Sequence, residues 1–98
     1  MDNLFYLYKL TLLNYISEEE YEDSPLYETL FINFINLNKN ILTSNKLIFN
    51  MICYLTLELD ILYFDSTKKD VLKFIKKPCK KDRLWKEVKI FSKKIKEL

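Results

Sequence analysis

The densest chemistry in the chain lies in five bases within residues 76–83. Lys76, Lys77, Lys80, Lys81 and Arg83 are set around Pro78 and Cys79. With Lys86, Lys89 and Lys93 they extend into a cationic strip of the sort that neutralises phosphates, whether of RNA, DNA, a ribosome or an anionic membrane. A solvated helix face is the plainer reading of the same charges. A second cluster, Glu18, Glu19, Glu20, Glu22 and Asp23, offers carboxylates without the spacing of a calcium loop and without the glycine its turn requires. It reads as an acidic connector able to meet a basic protein surface.

Catalytic chemistry has little to work with. The chain contains no His and no Gly. It therefore lacks the commonest general base and the backbone freedom of a phosphate-cradling loop. Cys53 and Cys79 lie far apart, and without histidine they make no closed four-ligand zinc site. The expectation is a non-enzymatic protein with no cofactor and no metal, its cysteines being ordinary thiols.

The elements that would position these groups are helical. Apolar residues make up 49% of the 98 residues, enough for one core and one domain. Helices need glycine least. Asp2 or Asn3 caps a first helix over residues 3–16, apolar nearly all round and so expected to be central or covered. Ser24 and Pro25 open a second, with Leu26, Leu30, Phe34, Leu37 and Ile41 on one face. Thr43 or Ser44 caps a third, in which Ile48, Met51, Ile52, Leu55, Leu59 and Leu62 recur at helical spacing. Residues 55–61 also alternate with period two and would suit a strand, although no glycine-bearing hairpin turn is present to pair it. Thr67 with Asp70 resembles a capping box for a short fourth helix ending before Pro78. Asp82 caps a last helix, with Leu84, Val88, Phe91, Ile95 and Leu98 on one stripe and lysines opposite. Trp85 beside that stripe reads as core more readily than as a base-stacking platform.

Charge is divided along the chain. Residues 1–60 hold nine acids and three lysines, and residues 61–98 hold thirteen bases and five acids, for a net +2 at pH 7. An acidic body (1–65) thus precedes a basic part (66–98) of one domain. The first two helices carry more apolar circumference than a small bundle buries, so part of the set Leu12, Leu13, Phe31, Ile32 and Ile35 is expected to face a protein partner or a second copy.

In layout the chain resembles the immunity proteins that protect producers of pediocin-like bacteriocins. The similar stretches are Leu12, Leu13, Asn14, Tyr15, Ile16 and Ser17, then residues 26–34, 47–55 and 71–75, so the resemblance spans about residues 12–76. It implies a small cytosolic antiparallel helical bundle. The chain departs from that family in its regular basic last helix, its Lys/Pro/Cys linker and its lack of glycine, and no functional residue carries over.

Together these features lead to an all-α antiparallel bundle of four or five helices. The expected function is that of a cytoplasmic accessory protein, of immunity type, that recognises a partner protein through Phe31, Ile32 and Ile35 bordered by Glu18, Glu19 and Glu20. The alternative is a nucleic-acid or ribosome-associated factor, of a kind a virus or parasite encodes, docking through the basic segment. Met1, Asp2 and Asn3 lack the positive start of a secretory leader, and the apolar run 4–13, interrupted by Lys9, is too short for a membrane span, so neither is expected.

Overall fold

The computed structural model describes residues 2–16, 25–75 and 83–97. They form six helices: α1 (Asp2–Ile16), α2 (Leu26–Leu37), α3 (Lys39–Ser44), α4 (Lys46–Glu58), α5 (Asp65–Phe74) and α6 (Arg83–Lys96). No strand occurs among the described residues, and none of their helices is long and apolar enough to cross a membrane. The protein is an all-α bundle. The helical reading of 55–61 holds through Glu58, beyond which Leu59 and Asp60 form a turn and residues 61–64 run without regular structure.

The central helix is α4, not α1. It packs against α1, α3, α5 and α6, and its buried set extends past the expected stripe of Ile48, Met51, Ile52 and Leu55 to include Cys53 and Thr56. A helix covered on several sides must be apolar or internally satisfied on all of them. Thr56 meets that condition by donating its hydroxyl to the Ile52 carbonyl at 2.8 Å. By contrast, among the described side chains of α1 Phe5, Tyr8 and Leu12 are buried, whereas Leu7, Leu10 and Leu13 are exposed. The expectation that it is covered all round is corrected on this point.

Several boundaries differ from the sequence reading for local reasons. The second helix does not run to Ile41. Asn38 leaves helical geometry (φ −111°, ψ 17°), and its side-chain amide donates to the Phe34 carbonyl at 2.9 Å, competing with the backbone ladder. The buried residues of α2 are Tyr27, Glu28, Phe31 and Phe34, whereas Leu37 at its end and Ile41 on α3 are exposed. The cap of α4 is Asn45, whose Oδ1 accepts from the Ile48 N–H at 3.4 Å. Thr43 and Ser44 instead donate to carbonyls of their own helix. Thr67 lies inside α5, which starts at Asp65 with the carboxylate in its first turn. The expected caps Ser24 and Asp82, the acidic connector and Pro78 lie outside the described residues.

Candidate functional site

Side chains from three helices converge on an open apolar groove. Phe31, Ile32 and Ile35 come from α2, Phe49 and Cys53 from α4, and Val71 and Phe74 from α5, with Asn36, Thr67 and Asp70 at the edge. The helical period brings α2 to the groove, since residues one and four positions after Phe31 fall on adjoining faces. On α5 the same period places Thr67, Asp70, Val71 and Phe74 along one side.

Phe31 is 5% exposed and forms the floor. The expectation that it stands on the surface is corrected here, because the Tyr8 ring packs edge-on beneath it at 6.3 Å. Leu12 is buried likewise. Ile32 and Phe74 remain 39% and 68% exposed, so apolar surface stays open to an incoming group. The Phe74 ring meets Phe49 edge to face at 6.4 Å, which holds one wall upright. The groove encloses about 140 Å³. An apolar cavity on the order of 150 Å³ accepts a benzene-sized guest, so one aromatic or branched aliphatic side chain fits.

Cys53 closes the inner end of the groove as a passive group. Burial pushes its thiol up to about 12, which keeps it the neutral, unreactive form near neutral pH. No group of three Cys, Asp or Glu placed to hold a metal occurs among the described residues.

The expected cationic strip is only partly within the described residues. Lys76, Lys77, Lys80 and Lys81 lie outside them, as do Glu18, Glu19 and Glu20. Arg83, Lys86, Lys89 and Lys93 are exposed on α6. Lys89 already has other business, with its Nζ 2.8 Å from Glu58 Oε1 and 4.7 Å from the centre of the Trp85 ring. Trp85 in turn packs on the core and meets Tyr54 edge to face at 5.4 Å.

Two features escaped the sequence. Glu28 looked like a favourable charge at a helix start, yet it is buried and accepts the Phe64 N–H at 3.0 Å, tying α2 to the segment before α5. Tyr6, Lys9 and Glu87 join α1 to α6. Tyr6 Oη donates to Glu87 Oε1 at 2.5 Å, and Lys9 Nζ lies 3.8 Å from Glu87 Oε2. Lys9 also sits 4.7 to 5.6 Å from the ring centres of Tyr6, Phe91 and Phe5. A lone lysine in an apolar helix was the available signal, because such a residue needs a partner.

No protein-family model, curated protein or solved structure matches the chain.

Proposed function

We propose that this protein is a non-enzymatic binding protein of the cytosol whose α2/α4/α5 groove receives an apolar side chain of a partner protein, with an immunity-type role as its specific form. The observation that carries this reading is the convergence of Ile32, Ile35, Phe49 and Phe74 over the Phe31 floor, with Ile32 and Phe74 left exposed. Full burial of one Leu- or Phe-sized anchor contributes about 1.5–3 kcal/mol, the scale of an interface hot spot. Exposed Asp70 at the edge favours a partner with a cation beside its anchor.

The alternative, a nucleic-acid or ribosome contact through residues 76–96, draws support from exposed Lys86 and Lys93. It is weakened by the engagement of Lys89 with Glu58 and Trp85. The test is capture from the native host by immobilised wild type, Ile32→Glu and Lys86→Ala/Lys93→Ala proteins. Loss of one defined protein with the groove variant alone supports the reading. Recovery of nucleic acid that the lysine variant abolishes would replace it.

A further inference from the structure

Away from the groove, side-chain contacts of Tyr6 and Lys9 with Glu87 and Phe91 join α1 to α6. By helical period Leu10 and Leu13 stand beside Tyr6 and Lys9 on α1, and Ile90 and Lys94 stand beside Glu87 on α6. On α1, Leu7 and Leu10 are 50% and 58% exposed, and Leu13 is exposed beside them; on α6, Ile90 is 56% exposed. Flanking Ile90 are Lys86, Lys93 and Lys94, all exposed. Among the described side chains of these two helices and Glu97 just after α6, the carboxylates are Glu87, which pairs with Lys9, and Glu97.

We propose that the joined outer faces of α1 and α6 dock on an anionic lipid surface, Leu7, Leu10, Leu13 and Ile90 entering the headgroup boundary while Lys86, Lys93 and Lys94 meet lipid phosphates. Apolar side chains projecting from helices that lie flat, with lysines along one side, are the pattern of an interfacial helix. Charge complementarity selects the occupant. A second copy related by a two-fold axis would set identical lysine flanks against one another. An acidic protein would gain few directional bonds at the seam, where the Tyr6 hydroxyl, Lys9 and Glu87 engage one another. A bilayer asks only for apolar depth and positive charge, and this face has both.

The test is co-sedimentation of the full chain with vesicles of phosphatidylcholine alone and of phosphatidylcholine with phosphatidylglycerol, at low and at physiological ionic strength. Binding is expected to the anionic vesicles only and to weaken with salt. At about fivefold per charge, Lys86→Ala/Lys93→Ala/Lys94→Ala lowers partitioning on the order of a hundredfold. Leu10→Glu/Ile90→Glu removes it with helical circular dichroism intact, and the groove variant Ile32→Glu leaves it unchanged. The proposal is overturned by absence of vesicle binding, by equal binding to neutral vesicles, or by a dimer or an acidic-protein complex that claims this face in place of lipid. Binding to both vesicles and heparin that the leucine variant leaves untouched also overturns it, as the mark of a general polyanion contact.

Discussion

The Tyr8 hydroxyl donates to Thr56 Oγ1 at 2.6 Å between the two buried side chains, α1 to α4. The direction follows from the neighbouring bond: the single Thr56 hydroxyl proton goes to the Ile52 carbonyl, so Thr56 can only accept from Tyr8. The two partners are therefore not equivalent. Tyr8→Phe leaves Thr56 still bonded as a donor and is expected to cost about 1 kcal/mol. Thr56→Val strands a buried phenol and costs more, about 1–3 kcal/mol. Urea midpoints of the two variants give the ranking, and equal losses would refute the assigned direction.

High pH should unfold the protein through the same region. Burial raises the Tyr8 phenol well above its ordinary 10.0 and lifts the Cys53 thiol from 9.0 to about 12. Both groups hold their protons in the folded state at pH values where the unfolded chain releases them. Their contribution is complete below about pH 9 and falls as pH rises from 9 toward 12. Stability measured against pH should decline over that window, and Cys53→Ala should flatten its first part. An unchanged slope in that variant would contradict the assignment.

Glu28 supplies the acceptor that the Phe64 amide needs in a stretch with no helix or strand to provide one. Glu28→Gln keeps an oxygen there and should be tolerated. Glu28→Ala should cost about 1–3 kcal/mol and expose the Phe64 amide to solvent. Hydrogen exchange at Phe64 reads this directly, with faster exchange expected in the alanine variant and near-native exchange in the glutamine variant.

Asp60 occupies the left-handed region at φ 55° as the chain leaves α4. In a sequence without glycine that position falls to Asp, which tolerates it better than most residues. Its ion pair with Lys68, 3.4 Å between exposed side chains, contributes under about 1 kcal/mol. Asp60→Gly is expected to change stability by less than about 0.5 kcal/mol, because lost chain entropy offsets relieved strain. Asp60→Val should cost about 1–2 kcal/mol. Melting temperatures separate the two, since 1 kcal/mol moves a domain of this size by about 4–8 °C.

The same residues show what was legible beforehand. Periodicity identified α4 and α6 because Ile48, Met51, Ile52, Leu55 and then Leu84, Val88, Phe91, Ile95 all point inward. Period alone could not say which helix is central, so it assigned α1 a cover that α4 claims instead. The Asn38 break and the Asn45 cap depend on short-range competition between side chain and backbone, in which several neighbouring polar residues were equally eligible. Of the expected docking residues, Ile32 and Ile35 line the groove with Phe31 beneath them. Their partners Phe49 and Phe74 come from helices far along the chain, and only the fold brings them together.

In the proposed function the groove, not the charged surface, holds the partner protein. The most direct measurement is the affinity of the partner recovered with the wild-type chain, titrated against Ile32→Glu, Phe74→Glu and Lys86→Ala/Lys93→Ala proteins of verified helicity. Loss of one hot-spot anchor weakens binding by more than about 2 kcal/mol, or some thirtyfold, so that drop is expected for each groove variant and little change for the lysine variant. Undiminished affinity in both groove variants would contradict the claim.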